Sequence, residues 1–151
     1  MADHIRWGIL GAAKFARQHM APASQSARRG RLAALATSSA DKARPSQALT
    51  PGIEVFGDYD EMLASDAVDA VYVPLPNHLH VEWAEKALRA GKHVLVEKPL
   101  AMKAGAFDSV IALRDEILGF LTHQYREGAG WHVACYEVFI MLRKLVIGLI
   151  V

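Results

Sequence analysis

Cysteine is almost missing from this chain: Cys135 stands alone. An internal disulfide is therefore excluded, no thiolate cluster exists for a structural zinc ion, and a reducing, cytoplasmic setting is expected. Charge of one sign is equally scarce. Seventeen Lys and Arg face sixteen Asp and Glu, with no block of like charge, so neither nucleic acid nor an acidic surface is expected as a partner. The polar first residues lead directly into a short apolar stretch, without the h-region and cleavage site of a signal peptide, and export is not expected. Uninterrupted hydrophobic runs are absent too. The longest apolar region, 133–151, is broken by Glu137, Arg143 and Lys144, which argues against a membrane span. No internal repeat or low-complexity stretch is found.

What remains is a chain of 151 residues, 52% of them hydrophobic, enough for one good core and too short for two full domains. Short apolar runs alternate with amphipathic stretches, the pattern of βαβ units building a parallel sheet. Strands are predicted at 5–10, 32–37, 54–56, 68–73 and 93–97, rich in Val, Ile, Leu and Ala as strands covered on both faces should be. Helices are predicted at 14–27, from Asp58 onward with Glu61 as capping-box partner, and at 80–90, where Val81, Ala84 and Leu88 share a face and Gly91 supplies the cap. Pro45 predicts a stop or kink near Arg44 in the helix of 40–49. A helix at 103–116 and a sixth strand at 119–122 complete the expectation: an α/β, Rossmann-type doubly wound, mainly parallel six-stranded sheet with helices on both faces. Residues 1–126 are expected to form this domain, and 127–151 an apolar tail in which Val138, Leu142, Leu145 and Leu149 lie on one helical face. That tail, or the sheet, is expected to drive self-association into a homo-oligomer.

The first strand runs into Gly11, Ala12, Ala13, Lys14, Phe15 and Ala16. A dinucleotide phosphate loop needs small residues for a tight turn, for close backbone approach to pyrophosphate and for packing helix on strand; Gly11, Ala13 and Ala16 meet those needs. The string fits an ordinary strand–turn–helix joint equally well. Free amides at the helix start, the helix dipole and Lys14 favour an anion. The second strand ends in Thr37, Ser38 and Ser39 without the carboxylate that pairs with the ribose hydroxyls of NAD. With Lys42 and Arg44 nearby, these hydroxyls suit a 2′-phosphate, hence NADP in preference to NAD; alternatively Ser39 only caps the next helix. Pro74, Leu75, Pro76, Asn77, His78, Leu79 and His80 follow the fourth strand at the edge where open α/β sheets bind ligands. His78 and His80 lack a carboxylate or cysteine at useful local spacing, so no metal is expected, and a histidine starting a helix reads as polar surface. The fifth strand ends in Glu97, Lys98 and Pro99. A lysine there can bond a substrate oxygen, stabilise developing negative charge and pass a proton; a surface Glu–Lys pair is the plainer reading.

Taken together, WGILGAAKFA (7–16) and VDAVYVPLPNHLHVEWAEKALRAGKHVLVEKPLAM (68–102) resemble the Gfo/Idh/MocA family of glucose–fructose oxidoreductase and inositol dehydrogenase. The likeness covers residues 5–116. It implies an NAD(P)-binding Rossmann domain of an oxidoreductase that moves hydride between a nicotinamide cofactor and a secondary alcohol or carbonyl of a sugar-like or diol substrate. Gly11 to Phe15 would then hold the pyrophosphate. Pro74, Leu75, Asn77 and His80 would line the nicotinamide side. Glu97 would hold the ribose or nicotinamide side, with Lys98 as catalytic residue. Family members continue into an α+β domain that supplies the substrate pocket. That domain is expected to be largely absent, since about 35 residues follow Glu116. Among these, Tyr125 and Arg126 match the family's tyrosine–arginine turn, and His132 is a candidate for the second half-site. The alternatives are a dinucleotide-binding module and a fragment without turnover.

Overall fold

The computed structural model describes residues 4–103, 105–106 and 108–125, with 117–125 as backbone alone. Five parallel strands form one sheet in the order β3-β2-β1-β4-β5. They are β1 (Ile5–Leu10), β2 (Gly30–Ala36), β3 (Glu54–Phe56), β4 (Ala70–Val73) and β5 (His93–Val96). A π-helical turn at Ala16–Met20 leads into α1 (Ala21–Ser26). The further crossovers are α2 (Ala40–Leu49), α3 (Tyr59–Ala64) and α4 (His80–Arg89), and α5 (Asp108–Tyr125) follows β5.

The period-two alternation of the strands feeds two cores, one on each face. Leu10, Ala34, Ala36, Val71 and Val73 pack with Met62, Leu63, Leu75 and Ala87 beneath α3 and α4. Their neighbours Ile9, Leu35 and Tyr72 point the other way, packing with Ala16, Ala21 and Ala43 beneath α1 and α2. Gly8 lets the α3 side approach: a Cβ there would lie 3.0 Å from both Met62 Cε and Val68 Cγ1. α3 is capped by Asp58, whose Oδ1 accepts from the amides of Asp60 (2.8 Å) and Glu61 (3.1 Å). Gly91, at φ +72°, ends α4 in a Schellman turn, with Lys92 N donating to Ala87 O and Gly91 N to Leu88 O, both at 3.0 Å.

Three expectations are corrected. Residues 119–122 belong to α5, so the sheet has five strands among the described residues rather than six. A four-residue apolar run does not separate strand from helix, and Gly119, costing roughly 1 kcal/mol in a helix, is too weak to stop one already running. That helix also begins at Asp108 rather than 103, after turns in which Ala106 N donates to Lys103 O and Asp108 N to Gly105 O. Pro45 does not break α2, which continues to Leu49. The proline and Asp41, whose carbonyl loses its partner, both lie on the exposed face, where water can replace the missing bond.

At the opposite edge from the strand carboxyl ends, Arg6 ties β1 to the start of β4. Its amide donates to Asp69 Oδ2 (2.8 Å), Nε to the same oxygen (2.9 Å) and Nη2 to Oδ1 (2.5 Å). These bonds from the Arg6 guanidinium hold the Asp69 carboxyl below its usual range. A carboxyl depressed on folding stabilises the fold above its unfolded value, and that contribution is lost as pH falls through its folded value. Asp69→Asn is expected to lower the unfolding midpoint at pH 7, the gap from the unsubstituted chain shrinking below about pH 4. Thermal melts across pH test this; a gap constant with pH contradicts it.

Candidate functional site

Placing β1 between β2 and β4 reverses the winding of the sheet at its centre, which opens a crevice above the carboxyl ends of the strands. Four of the predicted loops emerge there, and contacts between the described residues join three of them.

Gly11 follows β1 directly, at φ +87°, a backbone conformation that favours glycine. A Cβ on it would meet Leu75 Cδ2 at 3.0 Å and Tyr59 Oη at 3.2 Å. The conformation thus favours glycine, a Cβ would need Leu75 and Tyr59 to give way, and the loop after β1 lies against the loop after β4. Ala12 and Ala13 are half-buried, and Lys14 and Phe15 exposed. The Phe15 ring lies 4.6 Å from that of His19. Ala16 is buried against Ile9 and Leu35, as the third small position of a phosphate loop must be. With small side chains at 11, 12, 13 and 16, the backbone of this turn can approach a pyrophosphate closely.

At the end of β2, Thr37 is buried and Ser38 exposed. Ser39 caps α2, its Oγ accepting from Lys42 N at 3.4 Å. Arg44 pairs with Asp41 at 3.2 Å on the exposed face. The nearest carboxylate beyond β2 is therefore engaged by a cation of its own helix.

His80 departs most from its expected surroundings. It opens α4 yet is fully buried, so the polar-surface reading is corrected. Its Nδ1 lies 2.8 Å from Pro99 O and its Nε2 2.6 Å from Leu75 O. Carbonyls only accept, so each contact is a hydrogen bond through whichever ring nitrogen carries the hydrogen. His80 thus lies under the loop it was expected to line, joining the loop after β4 to the turn after β5. Pro74 is half-buried and Asn77 exposed, the latter in a 3₁₀ turn over 77–79.

Beyond β5, Glu97 is half-buried and Lys98 exposed. The Lys98–Pro99 peptide is cis. Glu97 N donates to Val73 O (3.2 Å), holding the turn beside β4. The Tyr72 hydroxyl donates to Glu97 Oε1, and Lys98 N donates to Oε2 at 3.2 Å. Burial, then the bond and charge of Glu97, push the Tyr72 hydroxyl strongly upward, so it remains a donor.

Contacts therefore run from Gly11 through Leu75 and His80 to Pro99, with Lys98 next to the last. The structure brings together the loops carrying Gly11, Leu75 and Lys98, while Ser38 and Ser39 stand at the neighbouring strand end. Arg126 and His132 lie outside the described residues, as does the predicted tail 127–151; Tyr125 is the last residue of α5. Tyr72 and the buried state of His80 escaped the sequence reading. A tyrosine in an otherwise aliphatic strand ending at the ligand edge was the available signal. Among the described residues no group of three or more His, Cys, Asp or Glu is placed to hold a metal ion, and no helix is long and apolar enough to cross a membrane.

A parallel sheet wound in this order, with a small-residue turn at its switch point, defines a dinucleotide-binding α/β domain. The chain belongs to the oxidoreductase family with an NAD-binding Rossmann fold, Gfo/Idh/MocA, whose model matches residues 5–117. An uncharacterized oxidoreductase of Rhizobium meliloti is 43% identical over 113 residues, 75% of this chain and 34% of the relative. A dTDP-3,4-didehydro-2,6-dideoxy-alpha-D-glucose 3-reductase of Streptomyces violaceoruber is 46% identical over 100 residues, 66% of this chain and 29% of the relative. A 3-ketoreductase from Actinomadura kijaniata, solved with NADP and TDP-benzene, superimposes with a TM-score of 0.70 at 40% identity, covering 75% of this chain and 34% of that one. The chain spans about a third of the length of these relatives.

The buried His80 ring bridges two backbone carbonyls in the interior, and removing it takes that polar partner from both. His80→Leu is expected to cost about 2–4 kcal/mol of unfolding free energy, measured by urea denaturation. A loss below about 0.5 kcal/mol contradicts the tie.

Proposed function

We propose that this chain is the cofactor-binding domain of an oxidoreductase that prefers NADP and acts at a secondary alcohol or carbonyl of a sugar-like or diol substrate. The observation that carries the proposal is the meeting of the Gly11 turn, the loop at Leu75 and the Glu97–Lys98 turn at one end of the sheet. Membership of the family and the likeness to a 3-ketoreductase solved with NADP support it, as does the NADP named for the D-xylose 1-dehydrogenase of Haloferax volcanii, 43% identical over 102 residues.

In this reading the nicotinamide gives or takes hydride when bound. The protein's part is to bind, orient and handle the proton. Gly11, Ala12 and Ala13 present backbone to the pyrophosphate, with Lys14 adding charge and Phe15 flanking the turn. Ser38, Ser39 and Lys42 receive the 2′-phosphate, in the absence of a free carboxylate at the end of β2 to repel it. Pro74, Leu75 and Asn77 border the nicotinamide side, with His80 holding them from below. Glu97 takes the ribose or nicotinamide side. Lys98 bonds the reacting oxygen, stabilising charge as it develops and passing a proton. Arg126 adds a polar contact beyond these.

Residues 1–126 constitute the domain in this proposal, and 127–151 a separate apolar segment. The setting is the cytoplasm. Self-association uses that segment or the sheet at β5, which is an edge strand among the described residues and whose residues are mostly only half-buried; molecular mass in solution tests it.

Titration with NADPH and NADH, followed by cofactor fluorescence, is expected to show saturable binding with NADPH the tighter. Ser38→Asp is expected to reverse that order, weakening NADPH by about tenfold or more. Failure to bind either cofactor at millimolar levels overturns the proposal. Hydride transfer also needs substrate held at the nicotinamide face. The chain matches only the dinucleotide-binding third of its relatives, so the 151 residues assayed alone are expected to turn over aldoses, polyols and dihydrodiols little or not at all. Robust turnover contradicts that expectation.

A further inference from the structure

Tyr72 has no part in the site as read so far. Alternation along β4 sends its neighbours Val71 and Val73 under α4 and sends Tyr72 to the opposite face, among Ile9, Leu35 and Leu95, where it is 2% exposed. Its ring is held by packing on that face, so its hydroxyl occupies a defined point. In the β4–β5 register Tyr72 is opposite Leu95, and Glu97, two residues further on, returns to the same face at the carboxyl edge. There the hydroxyl donates to Glu97 Oε1 while Oε2 accepts from Lys98 N. Both oxygens of the carboxylate are thus engaged from within the chain, one by a buried phenol and one by the amide of the residue expected to do the chemistry.

A half-buried carboxylate beside an exposed lysine would, without such an anchor, be free to swing towards that lysine or into water. The phenol is suited to prevent this. It is an obligatory donor opposite an acceptor, and its ring has only two torsions to restrain. His80 secures the following residue, Pro99, from the other face of the sheet.

We propose that Tyr72 is a positioning residue: by donating to Glu97 it aims the carboxylate, and with it the turn bearing Lys98, at the carboxyl edge for the bound dinucleotide. The proposal rests on the reading that Glu97 and Lys98 face the cofactor. Tyr72 itself touches neither cofactor nor substrate in this role, since its hydroxyl is spent on Glu97.

The experiment uses the full chain with NADPH as probe. Tyr72→Phe keeps the packed ring and removes the hydroxyl. It is expected to weaken NADPH by about three- to tenfold, with the thermal midpoint within a few degrees of the unsubstituted chain. Glu97→Ala weakens NADPH as well, and Tyr72→Phe adds nothing on top of it, because no carboxylate remains to be aimed. In the ligand-free protein the hydroxyl is also expected to give a downfield proton resonance, absent in Tyr72→Phe and displaced in Glu97→Ala. That signature depends on the bond rather than on general stability. NADPH affinity unchanged in Tyr72→Phe, or losses that add in the double variant, overturn the positioning role while leaving the cofactor reading intact. An unsubstituted chain that binds no NADPH overturns both.

Discussion

The structure depends on the pairing of β1 with strands on both sides. β2 lies along one edge of it and β4 along the other, all parallel. The winding must therefore leave β1 in opposite directions, and α1 and α4 come to cover opposite faces. The gap above the carboxyl ends of β1 and β4 follows from that arrangement and not from any individual side chain. It is also why a strand with so small a contribution as Gly8 matters. Its missing Cβ lets Met62 and Val68 close on the centre of the sheet, and the two cores are packed tightly enough to keep their loops in register.

Within that frame a few polar bonds in the interior convert separate loops into one surface. Leu75 touches the Gly11 turn, while its carbonyl and that of Pro99 share His80. Tyr72 reaches Glu97 from the other face. A buried polar group costs free energy unless it is paired, and no buried side-chain nitrogen or oxygen among the described residues lacks a partner. Side chains that have paid that cost and are fully paired define position well. Phe15, Ser38, Asn77 and Lys98, by contrast, are exposed on this surface. The arrangement is a fixed base carrying free contact groups, as a site for a long, multiply charged ligand requires.

Much of this was legible from residue pattern. The strands at 5–10 and 54–56 match their observed bounds, because each is a short run closed by glycine or by a turn residue. The caps at Asp58 and Gly91 were readable because capping depends on residue type at one position. The Gly11 turn was readable only weakly. What decided it was the neighbour: Leu75 Cδ2 lies 3.0 Å from where a Cβ would go, and sequence does not state that distance. Helix against strand at 119–122 failed because four apolar residues carry no period. The effect of Pro45 was overestimated because a lost bond on a wet face costs less than one inside. His80 was misread because burial of a polar side chain is decided by tertiary partners, Leu75 O and Pro99 O, that lie five and nineteen residues away. Tyr72 was unread for the same reason.

The central claim is that the loops after β1, β4 and β5 form one dinucleotide surface at the carboxyl edge of the sheet. Amide hydrogen exchange on the chain with and without saturating NADPH tests it most directly. The account predicts slowed exchange at Gly11 to Phe15, at Leu75 to His80 and at Glu97 and Lys98, and unchanged exchange at Arg28 and Arg29 on the opposite edge. Slowing confined to one of those loops, or appearing at Arg28 and Arg29 instead, would contradict it.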